Sequence, residues 1–90
     1  MTIIRFNPLL QEHAELPAVV EVSGETVGEC LDDLIQKFPH ARTWLFDPDS
    51  LLRVIISVNN IEVVALDDEG LSRKLKSKDE MMIFAIVSGG

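Results

Sequence analysis

One stretch, Thr26 to Pro39 (TVGECLDDLIQKFP), limits the possible folds of this chain more than any other. Thr26 is a good N-cap residue and Glu29 stands three positions later, the pairing that satisfies two orphan amides at a helix start. Val27, Cys30, Leu31, Leu34, Ile35 and Phe38 then recur at helical spacing and form one apolar stripe. Asp32, Asp33, Gln36 and Lys37 point elsewhere, and Pro39 ends the helix. A helix with one apolar stripe needs one surface to cover it. The remaining apolar segments are short and alternating, so that surface is a sheet.

Thr2 to Asn7 reads as a first strand, stopped by Pro8, and Ala18 to Val22 as a second, followed by a turn at Ser23-Gly24. Residues 9–17 are mixed, end in Pro17 and are expected to form a loop. Trp44, Leu45 and Phe46 suit a short helical turn closing one end of the core, before a turn at Asp47-Pro48-Asp49. Arg53 to Val58 is a third strand, Asn59-Asn60 a two-residue hairpin turn, and Ile61 to Val64 a fourth strand. The charged segment 66–80 has room for one helical turn, and Met81 to Val87 is the last strand. No internal repeat, linker or low-complexity tract interrupts this order. The expected fold is α+β, a mixed sheet of four or five strands with one main helix on one face. Its domain spans residues 1–87, and residues 88–90 form a flexible tail.

Alternation assigns the strand residues to faces. Ile4, Phe6, Val20, Val22, Val54, Ile56, Val58, Ile61 and Val63 are expected under the helix; Arg5, Glu21, Ser57 and Glu62 are expected outside. The last strand does not alternate. Met81, Ile83, Ala85 and Val87 line one side, and Met82, Phe84 and Ile86 the other. A strand apolar on both sides belongs in the middle of a sheet. One helix leaves the second side uncovered, with Ile3, Val19 and Ile55 beside it. Exposed apolar patches of this kind mark protein-binding surfaces. Phe84, Ile86 and Ile55 are the expected anchors, with Val87 and Ser88 beside them.

That strand runs directly into Ser88-Gly89-Gly90. Three extended residues span about 10 Å, enough to thread a narrow channel in another protein. Glycine, lacking a Cβ, passes where a side chain would clash. The reactive group of such a tail is the α-carboxylate of Gly90, which is inert until activated, typically as an acyl-adenylate. The chain has no glycine-rich phosphate loop, so activation falls to a partner enzyme.

Composition removes other classes. The chain has 90 residues, 47% of them hydrophobic and 26% charged, with a net charge of −7. One domain of this size folds with little margin, and its acidity argues against nucleic acid. No run is long enough for a membrane helix. Without the layout of a signal peptide, and with Cys30 as its single cysteine, the chain is expected in the cytoplasm. Cys30 lies on the helix's apolar stripe and is expected in the core. His13 and His40 have no ligand-like spacing. Asp47-Pro48-Asp49 and Asp67-Asp68-Glu69 do not match a calcium loop. Arg73, Lys74, Lys76 and Lys78 form the basic cluster of a solvated face.

The order of elements and the final Gly-Gly resemble the ubiquitin-like β-grasp proteins, and more specifically the sulfur carriers of the MoaD/ThiS family. The resemblance covers essentially the whole chain and is best from SVNNIEV through LKSKDEMMIFAIVSGG. VNN stands where the family commonly has Val-Asn-Gly or Val-Asn-Asp, and the region LFDPDSLLRVIISVNN is similar to the longer molybdopterin or cysteine-biosynthesis type. Many molybdopterin small subunits have Pro-Pro where Ala85-Ile86 stands here. The resemblance implies that an E1-like adenylyltransferase activates Gly90, with Gly89 beside it, using ATP and magnesium held by that enzyme. A persulfide donor then supplies sulfur to make a thiocarboxylate. A sulfur-accepting synthase, the large subunit of molybdopterin synthase or an equivalent, consumes it. The carrier is a cosubstrate, binds no cofactor itself, and touches neither nucleic acid nor membrane. Two other uses fit the same residues: a conjugating modifier of the kind related to tRNA thiolation, and a β-grasp binding module with no tail chemistry.

Overall fold

The structure, a computed structural model, describes residues 1–46, 52–76 and 78–87. Five strands form one sheet: β1 (Thr2–Phe6), β2 (Val19–Val22), β3 (Leu52–Val58), β4 (Glu62–Val64) and β5 (Glu80–Val87). Their order across the sheet is β2-β1-β5-β3-β4. β1 and β5 are parallel, and the other neighbours are antiparallel. The two-sided apolar strand is therefore the central one, as its pattern requires.

Among the described residues four helices accompany the sheet: α1 (Pro8–Ala14), α2 (Val27–Lys37), α3 (Ala41–Phe46) and α4 (Asp68–Leu71). α2 is the helix expected from the sequence. Thr26 Oγ1 accepts the Glu29 amide at 3.1 Å, while Glu29 Oε1 accepts the Glu25 amide at 3.1 Å, so the reciprocal box closes one residue early. Val27, Cys30, Leu31 and Leu34 are buried, with Ile35 and Phe38 partly buried against them. Burying a leucine fully is worth about 1.5–3 kcal/mol, and Leu31 and Leu34 both do so. The face beneath them is Ile4, Phe6, Val20, Val22, Ile56, Val58, Met81, Ile83 and Ala85, all buried. α3 closes one end of this core: Ala41, Trp44 and Leu45 are buried, and Trp44 meets Phe6 edge to face at 6.4 Å.

The expected loop at residues 9–17 is instead mostly helix α1. Pro8, which ends the strand, also occupies the first helical turn, where its missing N–H costs nothing. Asn7 caps the helix and Glu15 closes it in the left-handed conformation. Only Leu10 of α1 is buried, so the helix has no stripe for periodicity to detect.

The faces of β4 are also reversed from expectation. Asn59 and Asn60 both have positive φ, 55° and 59°, as a tight primed turn needs. Ile61 then intervenes before the first rung, which pairs Val58 with Glu62. That extra residue shifts the strand's phase by one, and a shift of one moves every side chain to the other face. Ile61 (89% exposed) and Val63 (71%) lie in solvent, and Val64 is the buried residue. Glu62 sits on the helix side and pairs with Arg73. Ser57 departs in the opposite sense: it lies on the outer face yet is only 6% exposed. The expected turn at Asp47-Pro48-Asp49 lies outside the described residues.

Candidate functional site

The outer face of the sheet is laid out by strand register. Ile55 stands opposite Phe84, and Arg53 opposite Ile86. The next row runs Val19, Arg5, Met82, Ser57 and Val63 across all five strands. The row beyond holds Glu21, Ile3 and Glu80. None of the described helices covers this face, and Ile55 and Ile86 remain 37% and 48% exposed, with Phe84 and Met82 half-buried. The result is an apolar strip with Arg5 and Arg53 at its margins. Arg5 lies 3.5 Å from Glu80, both side chains being about half exposed, a pairing worth at most about 1 kcal/mol in solvent.

Of the residues singled out from sequence, Phe84, Ile86 and Ile55 are thus brought together on one face. Val87 ends β5 opposite Leu52. Ser88, Gly89 and Gly90 lie outside the described residues. Sequence reasoning missed Val63 as part of this face because the turn's extra residue hid its phase. Ser57 is an unusual neighbour for the strip: its Oγ is buried without a hydrogen-bond partner among the described residues.

An asparagine holds each end of β5. At its start, the Asn59 amide nitrogen of the side chain donates to Asp79 Oδ1, and Asn59 Oδ1 accepts the Glu80 backbone N–H, both at 2.9 Å. Asp79 also accepts the Lys76 N–H at 2.8 Å. That backbone bond first, and the Asn59 amide second, hold the Asp79 carboxyl below its ordinary value. At the other end β1 pairs with β5 only as far as Phe6 opposite Ile83. Beyond it, Asn7 Nδ2 donates to the Ala85 carbonyl at 3.2 Å and Asn7 Oδ1 accepts the Ala85 N–H at 3.1 Å. Ala85 is nearly fully buried, and leaving either backbone group unpaired there would cost about 1–3 kcal/mol.

The remaining candidates take structural places. Cys30 is fully buried, and burial pushes its thiol up, away from the reactive thiolate. Asp33 is held below its ordinary value by the Ser23 N–H first and Lys37 second, a surface anchor for α2. Among the described residues, no three His, Cys, Asp or Glu side chains converge as a metal site. None of the described helices is long and apolar enough to cross a membrane. A hollow of about 280 Å³ beside β4 is lined by Glu62, Asp67, Glu69 and Arg73 among others. Three anions against one cation suit it poorly to a nucleotide's phosphates.

Comparison with known proteins agrees with this geometry. The ThiS family model matches residues 4–90. Among solved structures, the chain is similar to one in the crystal structure of the Amycolatopsis orientalis BexX/CysO complex, with 27% identity, a TM-score of 0.75 and both chains covered in full. Mycobacterium tuberculosis CysO, described as an antigen, gives 26% identity and a TM-score of 0.73 over 97% of this chain and 100% of its own. Small archaeal modifier protein 1 from Methanosarcina acetivorans gives 28% identity and 0.73 over 99% and 95%. No curated protein matches. A five-stranded sheet gripping one long helix, its central strand leading to Gly-Gly, accords with a match to nearly every residue: the chain belongs to the ThiS family, as a ubiquitin-like β-grasp protein of the sulfur-carrier and small-modifier type.

Proposed function

We propose that this chain carries sulfur as a thiocarboxylate on Gly90 and donates it in molybdopterin or cysteine biosynthesis. The observation that carries the reading is the central strand β5, which presents Phe84 and Ile86 on an uncovered face and leads directly to Ser88-Gly89-Gly90. The face supplies recognition and the tail supplies chemistry. Phe84, Ile86 and Ile55 dock on an E1-like adenylyltransferase, and Val87 and Ser88 lead Gly89 and Gly90 into its active site. A Gly90 carboxylate oxygen attacks the α-phosphate of ATP and expels pyrophosphate, with magnesium held by that enzyme. A persulfide sulfur then attacks the acyl carbon and expels AMP, and a thiol reduces the acyl disulfide to the thiocarboxylate. The sulfur-accepting synthase uses the same face in turn, and hydrolysis or transfer returns Gly90 to its carboxylate.

Likeness to small archaeal modifier protein 1 favours a second reading, in which activated Gly90 is joined to lysines of other proteins. Intact mass spectrometry separates the two. After incubation with ATP, an E1-like enzyme and a persulfide source, the carrier reading expects a mass gain equal to one oxygen replaced by sulfur, lost on deletion of Gly90. Adducts on other proteins without that gain favour the modifier. Neither product, with an enzyme active on its own carrier, overturns both.

A further inference from the structure

The two hydrogen bonds from one side chain to Ala85 need an explanation beyond helix capping. Asn7 already has a complete local role: its Oδ1 accepts the Leu10 N–H at 3.2 Å and starts α1. Serine or aspartate does that equally well. Aspartate has no donor, and serine has one oxygen where the Ala85 N–H and carbonyl need an acceptor and a donor side by side. The primary amide of Asn7 copies a backbone peptide, and it adds one rung to the β1–β5 ladder after β1 has turned away at Pro8. The backbone N–H of Asn7 makes the preceding rung, to the Ile83 carbonyl at 3.3 Å. The turn itself is braced, because Gln11 Nε2 donates to the Phe6 carbonyl at 2.9 Å. β5 is thereby held on both sides as far as Ala85, two residues before it ends at Val87.

We infer that Asn7 is a positioning residue for the C-terminal tail: it fixes the direction in which β5 delivers the tail to the activating enzyme, without touching ATP or the reacting carboxylate. The inference rests on the carrier reading. A strand end held from β3 alone is free to swing about that one ladder, and misdirection of a reacting group by about 1 Å is enough to cost on the order of a hundredfold in rate. Asn7 bonds only the backbone of β5, in the plane of the sheet, and none of these bonds involves the side chains of the exposed face, so affinity and turnover separate.

The test is steady-state pyrophosphate release by an E1-like enzyme given ATP, a persulfide source and a thiol, so that AMP is expelled and the enzyme turns over, with kcat and KM for the full chain measured separately. Asn7→Asp keeps the cap and replaces the donor to the Ala85 carbonyl with an opposing oxygen; Asn7→Ser keeps the cap and loses both bonds. Amide exchange at Leu10 reports the cap in each variant. Asn59→Asp is the control, since it weakens the other end of β5 and sets a carboxylate against Asp79. The expected result is a fall in kcat of at least tenfold for Asn7→Asp and Asn7→Ser, with KM changed less than threefold and Leu10 still protected. Asn59→Asp should lower thermal stability yet leave kcat within twofold. Equal kcat for wild type and both Asn7 variants, or an equal fall in Asn59→Asp, overturns the inference while the carrier reading stands. No pyrophosphate release from the wild type, with an enzyme active on its own carrier, overturns both.

Discussion

The two sides of β5 are chemically alike and physically opposite. Met81, Ile83 and Ala85 are buried beneath the helices, whereas Met82 and Phe84 are half covered and Ile86 is half exposed. Nothing in residue type distinguishes the sets. The difference lies in what covers them: the amphipathic helix α2, of 11 residues, and its smaller neighbours lie over one face, and none of the described helices lies over the other. The lesson is that an apolar residue's work, cohesion or recognition, is decided by the count of covering elements as much as by its own side chain.

The contrast can be broken first at its strongest point. Ile83→Ala removes a fully buried side chain and should cost about 2–5 kcal/mol of stability, read as a lower urea midpoint. A loss below 1 kcal/mol would mean the covered face is not the core. Ile86→Asp and Ile55→Asp should be the inverse. Each should leave stability within about 1 kcal/mol while weakening binding to an E1-like enzyme by tenfold or more, about 1.4 kcal/mol. Unchanged binding in titration calorimetry would remove the outer face from recognition. The smallest effect concerns the rim of β5. The lowered carboxyl of Asp79 adds stability above the ordinary carboxylate range, and that contribution disappears as pH falls through the folded-state value. Asp79→Asn should therefore be less stable than wild type at neutral pH, with the gap closing on acidification in denaturant titrations. A gap that widened in acid would reverse the assignment.

Much of this fold was legible because its main signals are periodic. The stripe of α2 and the unbroken apolar run of β5 are visible without structure, and together they imply a sheet with one bare face. Two features escaped for definite reasons. α1 buries one side chain, so its existence rests on a cap and a proline that also read as a strand stop. Val63 was placed on the wrong face because the number of residues between a turn and its first rung, here one more than the turn itself, is a matter of backbone geometry and not of composition. That Phe84, Ile86 and Ile55 share one face was accessible from alternation alone. The Asn7 rung was not, since it joins residues 78 positions apart.

The sheet order has a consequence for how the molecule assembles. β1–β2 and β3–β4 are each antiparallel pairs of sequence neighbours, β1 and β3 are not neighbours, and among the described strands β5 is the one that pairs with both halves. Isolated two-stranded ribbons are marginal in water, and the β1–β5 pairing closes nearly the longest loop the chain allows. Ile55 comes from one half, Arg5 from the other, and Phe84 from the strand that unites them. Under the docking proposed above, a partner that reads all three reads whether folding has finished, and an incompletely assembled chain offers it no such surface.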